Sequence, residues 1–389
     1  MTAPKPKVRV LLDSGAFSAW THGETLDVRD YIRFVKKVHP YLAGYVNLDV
    51  IPGHISRKRT REETEQSAAA SYRNLQIMKD AGLRPLPVFH QGEDFKWLDK
   101  MLADGETYIG ISSAKNETNE TQDRWLDKFF TVVTDTTGAP LIGVHGFGSA
   151  HVDLLRRHPY FSVDSAGWRI AGAYGKIYIP RVHPDGSFNY RAAGLLIPTS
   201  GNFHESRYFQ DRQTTQLGFH GPSHVDLINR FLEGEVGLNI GMVRYSDNDR
   251  ILALAVYYRK VSEAMHNVRF TDRGQGFHAA TEGQVQQRLR QYRPVHFKHP
   301  LFYFSTDYDA VNLRVLERAK ARYHLLSYYE LQKRPERLID YAMEGRVVTT
   351  RPPRGTKPDW DSRRYRTRRS YRIAKMAWKR DQEKTNAAE

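Results

Sequence analysis

Asp13 and Asp164 each end a short apolar run, and each is followed by a serine: Val8–Gly15 reads VRVLLDSG and Phe161–Ser165 reads FSVDS. Small residues come next in both places, Gly15-Ala16 and Ala166-Gly167, which leaves room for a ligand. Two carboxylates brought to one hollow can divide a displacement at carbon, one attacking while the other carries the departing group's proton. A lone aspartate after a strand also fits a plainer role, capping the next helix. Repetition of the pattern weighs against that reading. Asp49 ends Tyr45–Asp49, Gln91 follows Leu86–Phe89, Ser112 and Ser113 follow Tyr108–Ile111, and His145 and Gly146 follow Leu141–Val144. The chain has no cysteine, which excludes thiolate catalysis, disulfides and cysteine-ligated zinc.

The elements that would position these residues alternate. Val8–Asp13, Tyr45–Asp49, Leu86–Phe89, Tyr108–Ile111, Leu141–Val144 and Phe161–Val163 read as strands, separated by amphipathic helical stretches. Asp27 is placed to cap a helix with Tyr31, Phe34, Val35 and Val38 inward. Thr60 and Glu63 form a capping box for a helix that Gly82 stops. Strict alternation predicts a parallel sheet, and polar residues at every strand end suit a (β/α)₈ TIM-like barrel, whose active site lies at that face. An open doubly wound sheet is the rival, but no G-x-G-x-x-G follows the first strand. Residues 1–170 thus supply six βα units. Residues 171–294 break the rhythm and read as an inserted α+β region facing nucleic acid, with a hairpin from Lys176–Val182 to Phe188–Leu196 and a helix over Ile251–Met265. Residues 295–345 supply two more units, with strands at Leu301–Asp307 and Tyr323–Tyr328, completing eight. Residues 346–389 form a basic tail, in which Arg363, Arg364, Arg366, Arg368, Arg369 and Arg372 interleave with Tyr365 and Tyr371. Arginine with aromatic rings grips phosphates and stacks on bases.

The chain of 389 residues carries a formal charge of +15. A chain this basic suits a polyanionic partner, nucleic acid first. No apolar run is long enough to span a membrane and no signal-peptide core precedes Val8, so a cytoplasmic protein is expected.

The strand-end residues resemble those of the tRNA-guanine transglycosylases. Asp13-Ser14-Gly15-Ala16-Phe17 is similar to that family's Asp-Ser-Gly-Gly-Phe/Tyr signature. Asn47-Leu48-Asp49 is similar to its base-contacting Phe-Asp strand end, and Phe89-His90-Gln91-Gly92 to its Val-Gln-Gly-Gly. Tyr108–Ser113 and Leu141–Gly146 match two further strands in order, and Asp164 falls where the family has its nucleophile. The likeness covers about residues 8 to 170. His145–Gly148 and Ser162–Trp168 look most like the phage and bacterial branch that acts on DNA.

The resemblance implies exchange of guanine in DNA for a 7-deazaguanine base such as preQ0, with no cofactor. Asp164 would be the nucleophile and Asp13 the acid/base. Ser14, Asp49, His90, Gln91, Ser112, Ser113, His145 and Gly146 would bind the base, with Phe17 or Tyr108 stacking on it. The same chemistry on tRNA, or a barrel that binds nucleic acid without catalysis, remains open. The tRNA enzymes' three-cysteine, one-histidine zinc site is absent, and His183, His204, His220 and His224 fit no known ligand spacing, so no metal is expected. Those enzymes also carry two strands before their Asp-Ser-Gly-Gly strand. Here the two C-terminal strands would supply them, as a circular permutation with Tyr323–Tyr328 beside Val8–Gly15.

Overall fold

The computed structural model describes residues 6–53, 59–113, 119–135, 137–199, 224–265, 301–306, 310–332 and 334–345. Two compact units divide the chain, Met1–Val347 and Val348–Glu389, and all described residues belong to the first. The tail arginines therefore lie outside the described residues, as do His204 and His220.

Eight strands form one all-parallel sheet: β1 Arg9–Asp13, β2 Leu42–Tyr45, β3 Val88–His90, β4 Tyr108–Ser112, β5 Gly143–Phe147, β6 Ser162–Ser165, β11 Leu301–Ser305 and β12 Tyr323–Ser327. Their spatial order is β2-β1-β12-β11-β6-β5-β4-β3. The outer strands of that order meet: Val46 and Leu86 form a parallel bridge, with Asn47 N–H donating to the Leu86 carbonyl and Leu86 N–H to that of Tyr45, each at 2.8 Å. The sheet is thus curled and TIM-barrel-like. As expected, Tyr323–Ser327 lies beside Arg9–Asp13, with Asp13 opposite Ser327.

Period-two alternation separates two apolar sets. Leu11, Val46, Leu86, Val88, Tyr303 and Leu325 pack together inside the curl, while Val10, Leu12, Phe89, Ile109, Ile111, Val144, Val163 and Leu326 face the helices. Helix α2 (Val28–Val38) is capped by the Asp27 carboxylate and buries Tyr31, Phe34, Val35 and Val38, as its spacing predicts. Helix α3 (Arg61–Asp80) carries the full Thr60–Glu63 capping box.

Two strands differ from their sequence-predicted limits. β2 starts and ends earlier than Tyr45–Asp49, because the Leu48–Val50 backbone bonds elsewhere: Val50 N–H donates to Ser71 Oγ at 2.8 Å and Asn74 Nδ2 to the Leu48 carbonyl at 2.8 Å. β5 begins at Gly143 and runs to Phe147, because Leu141 N–H is bonded to the Val133 carbonyl at 2.8 Å, tying that stretch to helix α5 (Asn119–Val133).

The hairpin predicted between Lys176–Val182 and Phe188–Leu196 is split. β7 (Lys176–Ile179) pairs with β10 (Leu195–Pro198), and β8 (Arg181–Val182) pairs with β9 (Phe188–Asn189). Pro180, which has no N–H, separates the two ladders. The predicted helix at Ile251–Met265 starts earlier, as Asp247–Ala264, capped by Ser246. It buries residues on most of its circumference, packing on β11, on Gly167–Ala173 and on Ala310–Arg318. That part of the crossover therefore belongs to the helical layer around the sheet. No helix among the described residues is long and apolar enough to cross a membrane.

Candidate active site

Inside the curl, stepping two residues along a strand keeps a side chain on the inner face. Leu11 leads to Asp13, Val88 to His90, Tyr108 through Gly110 to Ser112, and Ser162 to Asp164. The apolar interior thus gives way at the C-terminal strand ends to Asp13, His90, Ser112 and Asp164, the face where TIM-like folds place their chemistry.

Neither aspartate caps a helix. The residue capping Ala16–Thr21 is Gly15 and that capping Gly167–Ala173 is Ala166, and neither helix receives a side-chain capping bond. The turn-forming work falls to the serines: Ser165 Oγ accepts from Gly167 N–H at 2.8 Å, and Ser14 Oγ accepts from Ala16 N–H at 3.3 Å. Gly15 takes φ +72°, and a Cβ there would stand 2.4 Å from that of Tyr329, so the turn after Asp13 admits no larger residue.

Burial pushes the Asp13 carboxyl from 3.8 to about 7, and the negative charges of Asp49 and Asp164 push in the same direction. Backbone N–H groups of Gly15 and Ser14 oppose them. The site thus gathers three carboxylates from distant parts of the sequence, and one holds its proton near neutrality.

Asp49 is fixed on both oxygens. Ser14 Oγ donates to Oδ1 at 3.0 Å, and His90 Nε2 lies 3.0 Å from Oδ2. His90 Nδ1 lies 3.0 Å from Glu93 Oε1, and Glu93 Oε2 accepts from His90 N–H at 3.1 Å. Burial pulls the His90 imidazole down, but Glu93 and Asp49 together outweigh it and raise it from 6.5 to about 10. His90 is therefore an imidazolium donating to a carboxylate on each side. Each Asp49 oxygen keeps a further lone pair, which can accept an N–H group from a ligand.

Asp164 is 6% exposed. Its Oδ1 accepts from Gly148 N–H at 3.0 Å, and His145 Nε2 stands 3.4 Å from the same oxygen. Gly148 adopts φ +66°, which turns its N–H toward the carboxylate. Trp168 fastens the turn after Asp164 to β11, donating from Nε1 to the Ser305 carbonyl at 3.2 Å and packing edge-on against Phe304.

The remaining expected residues separate into mouth and interior. Gln91 is buried, with its N–H bonded to the Ser112 carbonyl at 2.9 Å and its carbonyl bonded by Arg59 Nη2 at 2.6 Å. Ser112 and Ser113 are partly exposed at the end of β4. Phe17 is exposed on the first turn after Asp13. His145 is not at a strand end: it sits within β5, opposite Gly110 and Ser162, and is fully buried. Gly146 faces outward, where a Cβ would meet the Tyr160 ring at 2.7 Å. Tyr108 lies at the start of β4 with its hydroxyl on Ser162 Oγ.

Sequence reasoning missed Glu93, Ser162 as a partner of His145, and Arg59. Two had a readable signal: Glu93 is three residues past His90 across a glycine turn, and Ser162 is two residues before Asp164 on the same strand. Among the described residues, no group of three or more histidines and carboxylates is arranged to hold a metal ion. No protein-family model, curated protein or solved structure matches this chain.

Proposed function

We propose that the protein is a DNA-guanine transglycosylase, exchanging guanine for a 7-deazaguanine base through a covalent Asp164–C1′ intermediate. The observation that carries this reading is the convergence of Asp13, Asp49 and Asp164 in three different states of support. Asp13 holds a proton near pH 7, Asp49 is clamped by Ser14 and the His90 imidazolium, and Asp164 is bound on one oxygen.

In the first half-reaction, Asp164 Oδ2 bonds to C1′ as the C1′–N9 bond breaks, and the Asp13 proton passes to the departing guanine. In the second, N9 of the incoming base attacks C1′, its proton returns to Asp13, and Asp164 leaves as a carboxylate. Asp49 holds the ring N–H and exocyclic amine that guanine and 7-deazaguanines share, so it favours neither partner of the exchange. The partner nucleic acid is DNA, matched to the charge of +15, with the target nucleotide flipped from the helix. The permutation relative to the tRNA enzymes belongs to the same reading, and the parallel pairing of Tyr323–Ser327 beside Arg9–Asp13 supports it.

Incubation with DNA and labelled preQ0 tests the proposal. Label is expected in DNA with wild type and at background with Asp164→Ala. Label that persists in Asp164→Ala, or none with wild type across bases and DNA forms, contradicts it. Transfer to tRNA in preference to DNA would redirect the substrate assignment.

A further inference from the structure

One layer beneath the carboxylates, the interior of the sheet holds a buried histidine. The side chain of His145 is fully buried, and its Nε2 has no partner in hydrogen-bond geometry, standing 3.4 Å from Asp164 Oδ1. A buried ring nitrogen left this way calls for a physical reason. Its other nitrogen supplies one: Nδ1 lies 2.7 Å from Ser162 Oγ, which is itself hydrogen-bonded to the Tyr108 hydroxyl. Burial and the neighbouring Tyr303 keep the Tyr108 phenol protonated, well above its ordinary range. A phenol that keeps its proton can donate it to Ser162. The Ser162 proton is then free to point at His145 Nδ1, which accepts it. That order of donors, Tyr108 to Ser162 to His145, leaves the imidazole proton on Nε2, the ring nitrogen 3.4 Å from the nucleophile's Oδ1.

The geometry points to His145 as a positioning residue that holds Asp164 Oδ1 together with the Gly148 N–H, reserving Oδ2 for attack, with Tyr108 and Ser162 setting its tautomer. This rests on the base-exchange reading for its chemical meaning. The interior glycines make the arrangement sterically possible. A Cβ on Gly110 would stand 2.4 Å from the Phe147 ring and one on Gly143 2.8 Å from the Tyr108 ring, so both rings lie where side chains would otherwise be. Phe147 in turn packs edge-on against His145, 4.4 Å between centroids, and fixes the imidazole plane.

The Gly148 N–H on Oδ1, joined by the His145 Nε2–H once it turns onto that oxygen, matters most when charge returns to the carboxylate. In the covalent intermediate Oδ1 is an ester carbonyl oxygen and binds N–H groups weakly. As the incoming base breaks the C1′–Oδ2 bond, the electron pair goes to the carboxylate and the donors on Oδ1 stabilise it. Their loss therefore slows breakdown of the intermediate more than its formation. A side chain that merely supported the fold would slow both.

The test measures covalent enzyme–DNA adduct and its rate of discharge by preQ0, in wild type, His145→Ala, His145→Gln, Ser162→Ala and Tyr108→Phe. Glutamine places an amide N–H near the position of the histidine Nε2. His145→Ala and Ser162→Ala are expected to accumulate adduct, with discharge slowed about ten-fold or more, and His145→Gln to recover much of the rate. Discharge at the wild-type rate in Ser162→Ala, or equal slowing of both steps in all variants, overturns the inference. Nitrogen-15 spectra of histidine-labelled free protein decide the tautomer without reference to activity. A proton on Nε2 of His145 is expected, and one held on Nδ1 alone overturns the relay. Wild type that forms no adduct defeats the base-exchange reading instead, with the tautomer still measured.

Discussion

The proposed exchange rests on one carboxyl that is costly to ionise. Asp13 is raised from 3.8 to about 7, chiefly by burial and then by Asp49 and Asp164. A group raised in the fold gives its full stability below its unfolded value and loses it as pH climbs through the folded one. The folded state is therefore penalised progressively between pH 3.8 and 7, by roughly 2 to 4 kcal/mol at completion. Asp13→Asn should remove that penalty. Thermal melts should find the variant more stable than wild type at pH 8, with the gap closing toward pH 4, while exchange activity is lost. Equal stability at pH 8 would mean that Asp13 ionises without strain. Adduct formation by wild type should also decline above about pH 7, as the proton for the leaving base is lost. Glu93 acts at one remove. Glu93→Gln leaves His90 with a single carboxylate partner, so its titration should move down from about 10, and the KM for the free base should rise about ten-fold as Asp49 loosens. Proton NMR of His90 and a KM-against-kcat comparison read the two effects separately.

At the scale of elements, strands decide where chemistry sits and glycines decide whether the turns can form. Gly15 and Gly148 both adopt positive φ, but their surroundings differ. A Cβ on Gly15 meets Tyr329 at 2.4 Å and Ser327 Oγ at 2.5 Å, whereas one on Gly148 meets nothing within 4 Å. Urea denaturation should find Gly148→Ala costing about 1 to 2 kcal/mol, and Gly15→Ala about 3 kcal/mol or more, since strain and overpacking add. Much of this layer was legible beforehand. The alternation of apolar runs with capped helices located all eight strands, and the pairing of Asp27 with α2 and of Thr60 with Glu63 followed from local hydrogen bonding alone. The limits of β2 and β5 were not legible, because backbone groups near Leu48, Val50 and Leu141 are claimed by α3 and α5, outside the apolar runs themselves. The same gap hid the depth of His145. Taken as a strand end, it reads as a ligand contact. Placed mid-strand, it lies in the layer below. The acidic residues themselves were legible, but their division of labour depends on burial and mutual charge, which no spacing reveals.

At the scale of the whole molecule, closure of the sheet brings residues 13, 49 and 164 to one face. Between β6 and β11, the long crossover contributes the largely buried Asp247–Ala264 to the outer layer, where the sequence suggested only an insertion. The net charge of +15 predicts that DNA binding weakens steeply with salt, roughly a thousand-fold between 50 and 200 mM if several phosphates are contacted. Replacing Arg363, Arg364, Arg366, Arg368, Arg369 and Arg372 with glutamine should flatten the log–log salt dependence measured by fluorescence anisotropy. An unchanged slope would assign the phosphate contacts elsewhere. The central claim is that the chain joins itself to a sugar through Asp164. Denaturing wild type during turnover on DNA, digesting both polymers and mapping the modified peptide by mass spectrometry tests it most directly. A deoxyribose-linked mass is expected on the peptide containing Asp164, and none in Asp164→Asn. Base exchange proceeding with that peptide unmodified, or with the sugar on any other residue, would contradict it.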